Sequence, residues 1–295
     1  MTTPTIEARD VRLNYGDVTA LDNLSLPLEG NRIIGLLGRN GSGKSTLMSA
    51  LAAFRKQDEG EILVNGEPVF ENAAITRQIA LIREGGDVVD EDEPLKEALA
   101  YAEWLRPNWN AELAEELIER FSIPRKTKIS AMSRGQRSAV GIVLGLAARA
   151  PITMFDETYL GMDAPSRYAF YDVLLKDYME HPRMFIVSTH LIEEVSSVFE
   201  DVVIIDKGKV LLHEATDDLL GRGTSVTGEA TAVNRFVEGL SVIGSRELGR
   251  TRSAMVFGEL TDEKRAAARQ AGLDLDPIDL QDLFVYLTTP KGGAA

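Results

Sequence analysis

Nine residues at positions 38–46, GRNGSGKST, constrain this chain more than any other stretch. They match the pattern G-x-x-x-x-G-K-S/T, in which a glycine-rich loop between a strand and a helix surrounds phosphate groups with its backbone N–H groups. The dipole of the following helix adds positive potential at the same point. The residues predicted to surround the phosphates are Gly38, Asn40, Gly41, Ser42, Gly43, Lys44, Ser45 and Thr46.

Both flanks of this loop have the character that the pattern requires. Residues 32–37, RIIGLL, predict a short buried strand, and residues 46–54, TLMSALAAF, carry apolar side chains at helical spacing. In such a loop the lysine, here Lys44, neutralises the terminal phosphates of a nucleoside triphosphate, and the hydroxyl of Ser45 binds Mg²⁺. We therefore expect a nucleoside triphosphate and Mg²⁺ as ligands.

Composition opposes several other classes of function. The chain has 295 residues, enough for one α/β domain and a smaller second domain. Its net charge of −14 argues against a nucleic-acid-binding surface, because neutralising a phosphate backbone requires clustered lysine and arginine. The absence of cysteine excludes disulfides and thiolate chemistry. No run approaches the roughly 18 apolar residues of a membrane span, and residues 1–10 lack a signal-peptide pattern, so we expect neither.

Apolar runs alternate with helical patterns from about residue 5 to residue 213, which predicts an α/β fold with a mostly parallel sheet. Buried strands are predicted at residues 152–156, 184–189 and 202–206. In open sheets of this kind, ligands bind beyond the carboxyl ends of the strands. Asp156, Glu157 and His190 all fall at such ends.

The two consecutive acids suit different tasks in phosphoryl transfer. Asp156 fits the carboxylate that holds Mg²⁺ directly or through water. Glu157 follows it, and from the strand end its carboxylate can reach a water molecule that attacks the terminal phosphate, as a general base. The alternative interpretation is a polar strand end that enters a loop. The phosphate-binding loop earlier in the chain favours the catalytic interpretation.

A further motif links these features to a known family. Residues 132–136, MSRGQ, resemble the LSGGQ signature of ATP-binding cassette (ABC) proteins, and they lie between the glycine-rich loop and Asp156, as in that family. Over about residues 5–213 the chain therefore resembles the nucleotide-binding subunits of ABC transporters. The resemblance implies a P-loop fold with a mixed-sheet core, an antiparallel β subdomain and a helical subdomain at about residues 85–150.

The resemblance also implies a head-to-tail dimer that encloses ATP. The hydroxyl of Ser133 and the N–H groups of Gly135 and Gln136 would hold the terminal phosphate of ATP bound to the other subunit, since a helix start attracts anions. Asp163 matches the aspartate that touches the opposing site.

Two further positions match family residues around the nucleotide. His190 matches the histidine that contacts the terminal phosphate and the water, so that Lys44, Glu157 and His190 are the predicted catalytic side chains. Tyr15 matches the aromatic residue that stacks on adenine, although an aromatic residue before a glycine can equally anchor a turn.

The chain departs from the family pattern at several positions. Glu84 stands where the family has a glutamine, and we assign it with Ser45 and Asp156 as a ligand of Mg²⁺. Arg134 replaces the first glycine of the signature, which requires that the backbone there is not left-handed. Thr158 replaces a proline. We expect none of these changes to abolish hydrolysis.

After about residue 215 the pattern changes to strand, helix, two strands, helix, strand and helix, with no motif that we connect to catalysis. We predict an ABC-type domain at residues 1–218 and a small α+β accessory domain at residues 219–295.

By this resemblance the expected function is ATP hydrolysis that powers a separately encoded integral-membrane permease, with export ahead of import. A second ATP-binding subunit, identical or different, completes the site, and the expected location is the cytoplasmic face of the cell membrane. Trp104 and Trp109 are interpreted as packing residues, or alternatively as part of a groove for a permease helix. The other functions left open are a soluble ABC ATPase without a transport role and a regulatory nucleotide-binding module with weak hydrolysis.

Overall fold

The computed structural model describes residues 3–83, 92 and 94–289. The chain divides into two compact units, Met1–His213 and Glu214–Ala295. The domain boundary predicted after residue 218 falls inside a helix, Thr216–Gly221, which belongs to the second unit.

Strands and helices alternate along the first unit. Its strands are β1 (Thr5–Tyr15), β2 (Val18–Glu29), β3 (Ile33–Leu37), β4 (Glu59–Val64), β5 (Glu67–Pro68), β6 (Ile79–Arg83), β7 (Ile152–Asp156), β8 (Met184–Thr189), β9 (Asp201–Asp206) and β10 (Lys209–Ala215), the last of which crosses into the second unit. Its helices are α1 (Lys44–Leu51), α2 (Ala73–Thr76), α3 (Leu95–Leu105), α4 (Ala111–Arg120), α5 (Arg134–Ala147), α6 (Ala164–Glu180) and α7 (Ile192–Val195).

A six-stranded sheet has the order β10-β9-β3-β8-β7-β6. Strand β3 is parallel to β8 and β9, and β7 is parallel to β6 and β8. Every residue of β3, β7 and β8 is buried. This explains their continuous apolar sequences, because a parallel strand covered on both faces has no polar side to alternate with. The mostly parallel α/β core predicted from the sequence is confirmed.

A second sheet, of order β2-β1-β4-β5, is antiparallel and forms the predicted β subdomain. Apolar and exposed residues alternate along β2, so one face packs inward. Asn65 and Gly66, a residue pair typical of hairpin turns, connect β4 to β5, and both have positive φ, as a tight hairpin turn requires. One apolar core contains residues from both sheets and from α1, among them Leu24, Leu47 and Met154.

Helices α3, α4 and α5 lie in the predicted helical subdomain. Ser133 caps α5 by accepting a hydrogen bond from the backbone N–H of Gln136, and the side chain of Gln136 accepts one from the backbone N–H of Ser133 in return. The helix is buried from Ser138 to Ala147, so this reciprocal cap fixes the start of a core helix.

The second unit is the predicted α+β domain. Its elements are α8 (Thr216–Gly221), β11 (Gly223–Glu229), α9 (Ala230–Phe236), β12 (Val242–Leu248), β13 (Thr251–Phe257), α10 (Asp262–Gln270), β14 (Asp274–Pro277) and α11 (Leu280–Thr288). The sheet order β12-β13-β11-β14 is that of a split β-α-β arrangement, in which each helix crosses over an inserted strand. Its apolar core joins α9 and α10 to one face of the sheet. None of the helices within the described ranges is long and apolar enough to cross a bilayer.

Candidate functional site

The carboxyl ends of three neighbouring strands bring the predicted site residues together. In the sheet register, Ser188 of β8 pairs with Leu36 of β3 on one side and with Asp156 of β7 on the other. The glycine-rich loop follows β3 directly, Glu157 follows β7, and His190 follows β8. Asp156, Glu157 and His190, which the sequence placed at the carboxyl ends of strands, thus lie at one edge of the sheet together with the glycine-rich loop.

The glycine-rich loop needs its glycines for two different reasons. Gly43 has φ of +108°, and a Cβ there would lie 2.7 Å from the carbonyl oxygen of Ala20. A Cβ at Gly38 would lie 2.3 Å from the hydroxyl oxygen of Ser42. Gly43 also begins α1 without any side-chain cap. The first N–H groups of α1 thus have no side-chain acceptor, which suits them to an anion.

Lys44 is buried, and its ammonium group lies close to oxygen atoms of the protein. Its Nζ donates to the carbonyl of Gly38 at 2.9 Å and lies 3.6 Å from the nearer carboxylate oxygen of Glu157. The side chain is only 6% exposed. A buried ammonium group needs such partners, and a triphosphate would offer stronger ones.

The two acids lie in different environments, although they are adjacent. Asp156 is buried and accepts a hydrogen bond of 2.6 Å from the hydroxyl of Ser188. The strand ends there, and Glu157 has φ of +48°, a strained conformation for a residue with a side chain. The backbone N–H of Glu157 donates to the same Ser188 hydroxyl at 3.0 Å. Ser188 therefore holds both acids, and the strained turn directs Glu157 toward Lys44 rather than along the strand.

His190 completes a line of three side chains. Its Nδ1 lies 3.4 Å from the same carboxylate oxygen of Glu157 that faces Lys44. The histidine side chain is 43% exposed, whereas that of Glu157 is 18% exposed. Glu157 thus bridges a buried cation and a solvent-facing imidazole.

The residues present fit a magnesium ion and a phosphate chain. Ser45 and Asp156 supply a hydroxyl and a carboxylate, the hard oxygen donors that Mg²⁺ prefers. The hydroxyl of Ser42 is buried within the loop and has no hydrogen-bond partner among the residues that the structure describes. Such a group is satisfied when a phosphate oxygen or a water molecule lies in the loop. Glu84, the third predicted ligand of Mg²⁺, lies outside the described residues.

A second group of predicted residues forms a separate shallow cavity of about 290 Å³ at the start of α5. Gly135 packs closely there, since a Cβ on it would lie 2.8 Å from the carbonyl oxygen of Gly161. Asp163 caps α6 by accepting a hydrogen bond from Ser166, which holds the pKa of Asp163 below its usual value. The predicted residues that line the cavity are Ser133, Gly135, Gln136 and Asp163.

Two further predicted positions have side chains at the surface. Tyr15 is 48% exposed, and the guanidinium of Arg55 lies 5.1 Å from the centre of its ring. Arg134 is exposed at the first position of α5 and does not have a positive φ, so the backbone there tolerates a side chain. The stem of Arg134 packs against Gly161, where a Cβ would lie 2.7 Å from its Cγ.

The sequence interpretation missed several buried hydroxyls around the turn after β7. Thr158 donates to the carbonyl of Ile82 at 2.8 Å, and Ser138 donates to the carbonyl of Leu160 at 2.9 Å. The hydroxyl of Tyr159 donates to that of Thr189, and burial raises the pKa of Tyr159. The available signal in the sequence was a threonine next to each of two catalytic candidates, Thr158 after Glu157 and Thr189 before His190. The hydrogen-bond partners of these hydroxyls could not be found in this way, because they are distant in sequence.

Comparison with known proteins agrees with these features. The model of the ABC transporter family matches residues 21–159. The methionine import ATP-binding protein MetN of Rhizobium johnstonii is 32% identical over 222 residues, which are 70% of this chain and 59% of that protein. The doxorubicin resistance ATP-binding protein DrrA of Mycobacterium tuberculosis is 28% identical over 219 residues, covering 72% of this chain and 66% of that protein.

Solved structures share the fold. The cassette MJ0796, solved as a dimer in a post-hydrolysis state with ADP and Pi, has a TM-score of 0.62 at 21% identity, covering 72% of this chain and 98% of that one. The match spans less than two thirds of the length of MetN and of DrrA. Residues 21–159 of this chain therefore match the ABC transporter family, and the fold is that of a solved ATP-binding cassette.

Proposed function

We propose that this chain binds and hydrolyses ATP as the ATP-binding subunit of an ABC transporter. The observation that carries the proposal is the position of Glu157, whose carboxylate oxygen lies 3.6 Å from Lys44 and 3.4 Å from His190. A base beside the cation that binds the terminal phosphate is where an attacking water must lose its proton.

The residues around Glu157 have different roles in hydrolysis. The triphosphate takes the place of Glu157 as partner of Lys44, because it carries more charge and more acceptor oxygens. The carboxylate then accepts a proton from water as the water oxygen bonds to the terminal phosphorus and the bond to the leaving ADP oxygen breaks. His190 orients the terminal phosphate and the water. A magnesium ion held by Ser45 and Asp156 supplies charge neutralisation at the phosphate oxygens.

The site is completed by a second subunit. The cavity at the start of α5 includes a capped helix start, and no lysine lines it among the described residues, which supports a role as the other half of a shared site. The dimeric cassette that shares this fold supports the same assembly. Ser133, Gly135, Gln136 and Asp163 contact the ATP bound to the partner, and Tyr15 stacks on adenine in its own subunit.

The membrane partner is a separately encoded permease. Tyr101, Trp104 and Leu105 of α3 are 56%, 81% and 59% exposed, an apolar surface that suits an amphipathic helix of a partner. Trp104 is thus not the packing residue that was one interpretation of its sequence. The chain works at the cytoplasmic face of the membrane.

We propose export as the direction, by likeness of the single cassette with an accessory tail to bacterial exporter ATPases. The relatives named above include an import protein and a drug-resistance protein, so homology supports the subunit class more strongly than the direction. The other candidates are a soluble ABC ATPase without a transport role and a regulatory module with weak hydrolysis.

The test is ATP turnover by the purified protein, with and without Glu157→Gln. We expect a loss of about 10²–10³-fold in turnover, because the general base is removed, while ATP binding persists. Glu180→Gln, at an exposed glutamate far along α6, is the matched control and should retain full turnover. Absence of ATP turnover in the wild type would point to the regulatory module. Capture of a polytopic membrane protein separates the transporter subunit from the soluble ATPase.

A further inference from the structure

Three hydrogen bonds that involve side-chain hydroxyl groups hold the turn that carries Glu157 to two neighbouring strands. Glu157 has φ of +48°, which costs free energy and persists only where surrounding contacts hold it. On the side of β8, the N–H of Glu157 donates to Ser188 and the hydroxyl of Tyr159 donates to Thr189. On the side of β6, the hydroxyl of Thr158 donates to the carbonyl of Ile82 at 2.8 Å.

Thr158 has no contact with solvent. Its hydroxyl donates to the carbonyl of Ile82 in the neighbouring strand β6 rather than to an acceptor in β7. Thr158 follows Glu157 directly, so a shift of its backbone moves the carboxylate that lies between Lys44 and His190. A buried hydrogen bond of this kind is costly to lose, because the carbonyl of Ile82 then loses its donor in a site closed to water.

We propose that Thr158 is a positioning residue for the hydrolytic step: its bond to Ile82 holds the strained turn so that the Glu157 carboxylate stays between Lys44 and His190. This inference rests on the proposed ATP hydrolysis. The phosphate loop follows β3, which is separated from β7 by β8. Thr158 therefore acts on the rate of hydrolysis and leaves nucleotide binding unchanged.

The chain contains a control threonine in β7, the strand that leads into this turn. Thr153 is also without solvent contact, and its hydroxyl donates to the carbonyl of Ala150 at 3.2 Å, at the end of β7 away from the site. Thr153→Val and Thr158→Val remove the same hydroxyl from the same type of bond at equal burial. They differ in their distance along the chain from Glu157 and in the acceptor, which is local for Thr153 and lies on the neighbouring strand β6 for Thr158.

The experiment compares ATP turnover, the KM for ATP and the melting temperature of the wild type, Thr158→Val, Thr158→Ser and Thr153→Val. We expect Thr158→Val to lower kcat about tenfold with KM within about twofold, the scale of one lost buried hydrogen bond. Thr158→Ser restores kcat to within about twofold of the wild type, and Thr153→Val retains it despite a similar fall in melting temperature. In a Glu157→Gln background, Thr158→Val changes the remaining turnover by less than about twofold, because the group that it positions is absent.

The inference is overturned if Thr158→Val keeps the turnover of Thr153→Val, if KM rises as much as kcat falls, or if serine fails to restore the rate. If Thr158→Val does not fold, Thr158→Ala replaces it, since alanine removes the hydroxyl without pressing a methyl group against the carbonyl. A wild type that turns over no ATP contradicts the proposed function itself, whereas a wild type that is active alongside an equally active Thr158→Val contradicts only this inference.

Discussion

Two helix starts in the first unit are suited to anions, and they differ in how their N–H groups are satisfied. Helix α1 begins at Gly43 with no side-chain cap and carries the buried Lys44 in its first turn. Helix α5 begins at Ser133 with a reciprocal cap formed by Gln136. The first start is open to a ligand within one chain, whereas at the second the N–H groups of Ser133 and Gln136 already have side-chain acceptors.

This difference implies an order of events. A triphosphate meets a cation and unsatisfied donors at α1, so binding there needs no second chain. At α5 the anion must compete with the internal cap, and only the remaining donors and the hydroxyl proton of Ser133 are available to it. We therefore expect α1 to govern nucleotide affinity and α5 to govern dimer closure and turnover.

The largest expected effect tests the first half of this comparison. Lys44→Ala should weaken ATP binding by about 10²-fold or more, because it removes the buried cation beside the phosphates. Fluorescent-nucleotide titration measures this directly. Lys56→Ala, at an exposed lysine of the same unit, is the control and should bind as the wild type does. Binding by Lys44→Ala within about threefold of the wild type would remove the distinction between the two helix starts.

A smaller effect is expected at the second helix start. Ser133→Ala should lower turnover about tenfold with unchanged ATP affinity, and should cost about 1 kcal/mol of stability through the lost cap. Asn110→Ala is a matched control, because Asn110 caps α4 by accepting a bond of 3.0 Å from Leu113. It should lose similar stability and keep full turnover. Equal turnover in the two variants would mean that Ser133 serves only as a cap.

The smallest expected effect is on stability. It concerns Arg167, whose contacts connect the cavity at the start of α5 to the region after His190. Arg167 donates to the carbonyl of Met162 at 2.9 Å and makes two bonds of 2.6 and 2.7 Å with Glu194. The bond from Arg167 lowers the pKa of Glu194 from its ordinary 4.5. A carboxylate with a lowered pKa stabilises the folded state above its ordinary pKa, and that contribution is lost as the pH falls from about 4.5 through the lowered value.

Urea unfolding of the wild type and Glu194→Gln measures this contribution. We expect a difference in the free energy of unfolding of about 1 kcal/mol near neutral pH that shrinks progressively below about pH 4.5. A difference that stays constant with pH would show that Glu194 stabilises the protein by packing rather than by its charge.

Much of the fold followed from local patterns. Continuous apolar runs predicted β3, β7 and β8, because parallel strands buried on both faces have no polar side. The hairpin at Asn65 and Gly66 followed from turn chemistry, and the alternation of elements after residue 215 predicted the α+β unit. Glu84 was assigned as a ligand of Mg²⁺ from the sequence, and it lies outside the described residues.

The hydroxyls of Ser188 and Thr158 could not be assigned in this way. Their partners, Asp156 and Ile82, are 32 and 76 residues away in the chain, and only the sheet order brings them together. The strained φ of Glu157 is likewise set by contacts on both sides of its turn rather than by its own preference.

The sequence by itself determined which chemical groups are present and at which strand and helix ends they stand, because glycine-rich turns, apolar periodicity and helix caps are local properties of the chain. Only the tertiary structure decided that Glu157 lies between Lys44 and His190. Those positions depend on the packing order of strands that are far apart in sequence, which no local pattern encodes.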